Sequence, residues 1–196
     1  MNAMKTTRIA LALALSGALA GCISFGAKPP ESLLSLTAAS SVAAGTAING
    51  SAAQAIAVME PEASARLAVT RVPVQIDDTQ VAYVKDALWV DKPSRLFRRL
   101  LGETIRAKTG RLVIDTDDAA LTPKNQLRGT LLEFGYDART ASAVVTYDAV
   151  RDVNGTQVMT RRFSASVPAT PEAAPVGAAI NQAANEVAAQ VADWVS

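Results

Sequence analysis

Histidine is absent from all 196 residues, and cysteine occurs once, at Cys22. Without imidazole there is no Ser-His-Asp triad, no Cys-His pair and no zinc site with histidine ligands. A single thiol closes no disulfide within the chain, so core packing alone must hold the fold. Neither a GxxxxGKS-type loop nor a GxGxxG after a strand is present, which removes the common phosphate cradles. Charge is short on both sides: 19 Lys and Arg face 18 Asp and Glu, a net of +1. Nothing in that balance supplies a global basic field for nucleic acid. Carboxylate-pair chemistry keeps its candidates in Asp115, Asp117 and Asp118, yet "DTDDAALTPKN" reads more simply as a polar loop after a strand. No catalytic residue, metal ligand or cofactor is assigned.

What is present begins at the N-terminus. Met1 to Arg8 carries Lys5 and Arg8 with no acid, and Ile9 to Ala20 is uncharged and mostly Leu and Ala. Twelve such residues fall short of the roughly 20 needed to span a bilayer. A basic start, a short apolar centre and small residues at the end describe an export signal. Leu19-Ala20-Gly21-Cys22 resembles the bacterial lipobox, in which the cysteine sulfur takes a diacylglycerol and cleavage falls just before it. The alternative is an ordinary secretory signal ending near a cysteine. On the lipobox reading Cys22 is the lipidation site, carrying acyl chains such as palmitate, and its thiol is lost to other chemistry. Two or three chains make a durable anchor where one does not. Residues 1–21 are then a signal peptide and 22–31 a lipidated tether stiffened by Pro29-Pro30. Loss of Lys5 and Arg8 turns the net charge to −1. Ile23, where many inner-membrane lipoproteins keep aspartate, favours the outer membrane, with the body facing the periplasm.

The remainder, 32–196, suits a single domain. "SLLSLT" (32–37) is a first candidate strand, and small, polar, glycine-bearing residues 38–53 form an expected mobile loop. Short strand-like pieces follow from Gln54 to Val90, punctuated by Pro73 and Pro93. Leu96, Phe97, Leu100, Leu101 and Ile105 then mark one face of a helix, with Asp91 or Ser94 as cap and Gly110 as its stop. Its other face carries Arg95, Arg98, Arg99, Arg106 and Lys108 against Glu103 alone. That face is either solvated surface or a contact for anionic headgroups or an acidic partner. Three long strands come next, with Asn154-Gly155 as a hairpin turn between the last two. A closing helix begins near Thr170 or Pro175. It lines up Ile180, Ala184, Val187, Val191 and Trp194, the tryptophan serving as a core plug or, alternatively, a ligand platform. The expected fold is α/β: a two-layer sandwich, a mainly antiparallel mixed sheet with two principal helices on one face.

Several stretches resemble the ABC-type transport auxiliary lipoprotein family. "PPESLLSLT" resembles the short strand after that family's spacer, though without the tyrosines many members carry there. "VAYVKDALWVDKPSRLFRRLLGETI" is similar to its middle block, with Tyr83, Trp89, Leu96, Phe97 and Leu100, and "APVGAAINQAANEVAAQVADWV" to its Ala-rich closing helix. The resemblance implies a non-enzymatic accessory of an ABC permease and ATPase working with a mammalian-cell-entry (MCE) domain protein. Such systems move phospholipid across the envelope. Its expected partners are those proteins and the membrane, with no nucleic acid, and homo-oligomerisation is left open. Other readings are a structural or activator lipoprotein of another envelope machine (a secretion pilot or a cell-wall synthase helper) and a lipid carrier with its own apolar cavity.

Overall fold

In a computed structural model of the chain, residues 32–51, 53–114 and 123–196 are described. Cys22, the export signal, the tether and Asp115, Asp117 and Asp118 lie outside them. Alternation in three long strands organises the rest. In β7 (Ser142–Val153) Ala143, Val145, Tyr147 and Ala149 are buried, and in β8 (Gln157–Pro168) Phe163 and Ala165 are. The turn joining them holds Asn154 at φ 58° and Gly155 at φ 70°, the left-handed pair that an Asn-Gly hairpin uses.

β6 (Asn125–Asp137) is the spine of the sheet. Along one edge it pairs antiparallel with β7, from Gln126↔Asp152 to Asp137↔Ser142. Its other edge takes three short strands in succession, all parallel to it. β1 (Ile56–Val58) lies beside Asn125–Leu127, β2 (Glu62–Ala63) beside Thr130 and Leu131, and β3 (Arg71–Gln75) beside Tyr136 and Asp137. β4 (Val81–Leu88) is antiparallel to β3, and β5 (Val113–Ile114) is parallel to β1. The sheet has eight strands and is mixed, its longest ladders antiparallel. With two helices packed on it, the α/β sandwich read from the sequence is what forms.

The helices among the described residues are α1 (Pro93–Thr109) and α2 (Ala173–Val195). α2 covers β7 and β8 with Val176, Ile180, Ala183, Ala184, Val187 and Val191 buried, and α1 lies alongside it. Alanine at these positions lets a helix sit close to a sheet at native packing density. Between the layers Trp89 meets Phe134 at a tilt (5.4 Å), Phe134 meets Phe97 (6.2 Å), and Phe97 meets Tyr147 (5.3 Å). Gly129 is glycine for a contact reason: a Cβ there would lie 2.0 Å from the Asp148 carbonyl oxygen and 2.9 Å from the Tyr147 ring.

Three local expectations change. Residues 32–37 make no strand of their own, only a single parallel bridge between Leu34 and Trp89. The sequence shows the alternation but not the partner, and the segment forms one bridged pair only, with the residue just after β4. α1 is capped neither by Asp91 nor by Ser94: Lys92 is the N-cap and makes no side-chain cap, with Pro93 in the first turn. Ser94 instead donates to Glu60 (2.6 Å), while the Asp91 carboxylate accepts the Lys92 N–H (2.8 Å). Gly110 does end the helix, at φ 65°. Finally, Trp194 is half-buried against Phe163 at 5.6 Å, at the rim rather than within the core.

Candidate functional site

The basic side chains of α1, lined up by sequence spacing, meet different fates. Arg98 is buried, at 8% exposure, and so leaves the accessible face. Arg106 sits on Glu103 at 2.7 Å and donates to the Val113 carbonyl (3.3 Å), while Lys108 meets Asp193 of α2 at 2.7 Å. Arg95 and Arg99 stay open to solvent at the helix N-terminal end. Both reach Asp91, at 3.8 and 3.5 Å, and Arg95 also reaches Glu60 at 3.6 Å. Arginines near a helix N-terminus oppose the helix dipole, and these two carboxylates offset that cost. The continuous stripe on paper is therefore a short exposed cluster of Arg95 and Arg99 beside Asp91, plus cations tied into the fold.

Sequence patterns did not reveal how residues 34–42 are used. They contain no strand or helix and run across the helical layer. Leu34 rests against Gly177 at the start of α2. Asn181 and Asn185 of α2 accept the Thr37 and Ala39 amides (2.8 and 2.7 Å), Asn185 donates to the Thr37 carbonyl (2.9 Å), and Glu103 of α1 accepts the Val42 amide (2.7 Å). Residues 34–42 are thus fastened to both helices. The only signal in the sequence is the i, i+4 pair of asparagines in an alanine-rich helix, where polar amides have no core role.

The sheet face away from the helices carries self-contained polar pairs. Thr146 donates to Glu133 (2.7 Å) and shares a hydrogen bond with Ser164 (2.9 Å). Arg162 pairs with Asp148 across β7 and β8 at 2.6 Å, and that hydrogen bond holds the Asp148 carboxyl below its ordinary range. A shallow cleft between β3 and β6 is lined by Arg66, Gln75, Glu133 and Tyr136, but the Arg66 guanidinium is already engaged by Gln75 and by the Leu132 carbonyl (3.0 Å). Among the described residues no cluster of three or more acidic, cysteine or histidine side chains is placed to hold a metal ion. No helix among them is long and apolar enough to cross a membrane. Burial raises the Tyr147 phenol above its ordinary pKa, and among the described residues neither its hydroxyl nor the Trp89 indole N–H has a hydrogen-bond partner. Both lie inside the aromatic cluster, away from any cleft described above.

Comparison with known proteins gives the class. Residues 34–192 match the family model of the ABC-type transport auxiliary lipoprotein component, and the chain belongs to that family. Among solved structures, a Xanthomonas campestris protein of the DUF330 family superposes with a TM-score of 0.68 at 16% identity, covering 84% of this chain and 94% of that one. An uncharacterized protein superposes with a TM-score of 0.63, also at 16% identity, covering 73% and 92%. At that identity both speak to fold alone. No curated protein matches in sequence.

Proposed function

We propose that the chain is an envelope lipoprotein, anchored through acylated Cys22 to the periplasmic side of the outer membrane. It serves as a non-enzymatic accessory of an ABC permease and ATPase that act with an MCE-domain protein on phospholipid. The observation that carries this reading is the family match over residues 34–192, preceded by Leu19-Ala20-Gly21-Cys22. A transport accessory located by acyl chains needs a body that docks rather than reacts. The paired surfaces and the aromatic-filled interior suit that role better than a carrier that encloses its own lipid. ATP is then bound by the partner. Ile23 favours the outer membrane.

Transport itself is the test. In cells deprived of this chain, movement of labelled phospholipid between the two membranes should fall. Wild type should restore it, while Cys22→Ser should remain unacylated by intact mass and restore little. Undiminished phospholipid movement in the deprived cells would overturn the reading.

A further inference from the structure

One corner of the open sheet face is apolar, and it lies where the tether joins the body. Leu33 and Val90 are each 53% exposed, and Val69 is 37% exposed. The bridge Leu34↔Trp89 puts Leu33 beside half-buried Leu88 and puts Val90 one step further along the same face. Arg71 is opposite Leu88, and the Trp89 amide donates to the Thr70 carbonyl (2.7 Å), which brings the bend holding Val69, just before β3, to the bend holding Val90, just after β4. Trp89 and Leu34 turn inward, toward Phe134 and Gly177, while Leu88 is half-buried and Leu33, Val69 and Val90 are exposed. Neighbouring apolar side chains left exposed together mark a contact surface more often than scattered ones do.

Charge around this corner is positive on balance, with Arg71, Lys92, Arg95 and Arg99 against Asp86 and Asp91. Arg71 lies over the Tyr83 ring at 4.0 Å, and among the described residues neither it nor Lys92 has a carboxylate partner. Asp91, next to Val90, is shared by Arg95 and Arg99. An apolar centre rimmed by Arg and Lys matches the boundary between acyl chains and anionic headgroups. The distance also fits. Ser32 lies ten residues after Cys22, so even a fully extended tether reaches only about 35 Å. We infer that Leu33, Val69, Leu88 and Val90 form a membrane-resting surface, which turns this corner of the sheet toward the bilayer carrying the anchor. The inference rests on the reading of Cys22 as lipidated.

Spin labels at single introduced cysteines test it, using the full lipidated chain in vesicles of phosphatidylethanolamine and phosphatidylglycerol. Acylated Cys22 offers no thiol, so wild type should take up no label. Labelling of wild type would mean that the anchor reading has failed, and the proposal with it. Val90→Cys and Val69→Cys substitute exposed side chains, and Val158→Cys, 58% exposed on β8, is the control. Labels at 90 and 69 should collide with oxygen several-fold more than with a water-soluble nickel chelate, and the label at 158 should show the reverse. Wild type unlabelled, with nickel collisions at 90 and 69 equal to those at 158, overturns the surface while leaving the anchor intact. Spin–spin broadening between labels at 90 assigns the patch to a second copy and overturns it as well.

Discussion

Leu34 occupies the space that a side chain at Gly177 would need: a Cβ there would lie 2.5 Å from the leucine Cδ2. The contact joins the irregular segment around Leu34 to the first turns of the closing helix, two parts of the chain far apart in sequence.

Gly177→Ala should therefore unseat Leu34. Alanine gains about 1 kcal/mol of helix propensity over glycine, so global stability should change by less than about 1 kcal/mol in either direction. The local effect should be larger. The Leu34 and Val90 amides, bonded to the carbonyls of Leu88 and Leu34, should exchange with solvent markedly faster. Unchanged exchange at both would mean that Leu34 is held by other contacts.

Gly129→Ala forces a methyl onto the Asp148 carbonyl and the Tyr147 ring, and neither backbone nor buried ring gives way easily. A loss of about 3 kcal/mol in urea unfolding is expected. Tyr147→Phe should act in the opposite sense. It removes a buried hydroxyl that has no hydrogen-bond partner among the described residues, so unfolding should become harder by about 1 kcal/mol. A loss of stability in that variant would reveal a partner for the hydroxyl.

Trp194→Ala should cost about 2 kcal/mol, below the usual 3–5 kcal/mol for a fully buried tryptophan, because the ring is only half covered by Phe163. A cost near 5 kcal/mol would mean that the ring is enclosed in solution.

Acid should be the only pH limit near neutrality. Hydrogen bonds from Arg162 to Asp148, from Arg139 to Asp137, and from the Thr79 amide and hydroxyl to Asp77 hold these carboxyls below their ordinary range. A folded-state pKa below the unfolded one gives stability that is complete above the unfolded value and is lost as pH falls through the folded value. The urea midpoint should stay level from about pH 5 to 8, where no histidine titrates, and decline below about pH 4. A step between about pH 6 and 7 would contradict this.

The architecture was legible where period and turn chemistry agreed. β7 and β8 alternate cleanly, Asn154-Gly155 requires a left-handed turn, and Leu96 through Ile105 repeat at helical spacing. What stayed hidden depends on partners distant in sequence. Arg98 reads as surface on a helical wheel, yet the fold closes over it. Lys108 has its acid at Asp193 on the other helix. Ser94 offers a capping hydroxyl, but Glu60, more than thirty residues earlier, captures it. Leu34 had the right apolar character, while its role depended on a glycine in the closing helix. For the site the sequence carried more than the fold did. The lipobox-like run at Cys22 and the family resemblance lie in the primary structure, and the structure added which arginines of α1 stay accessible and how residues 34–42 are fastened.

Crosslinking in intact cells tests the central claim most directly: tagged chain, covalent capture, and identification of the crosslinked peptides by mass spectrometry. An ABC permease or ATPase with an MCE-domain protein, joined through peptides of this chain's folded body, is the predicted result. Recovery of secretin or cell-wall synthase subunits in their place, with the acylated N-terminus intact, would contradict the transport role and leave only the anchor.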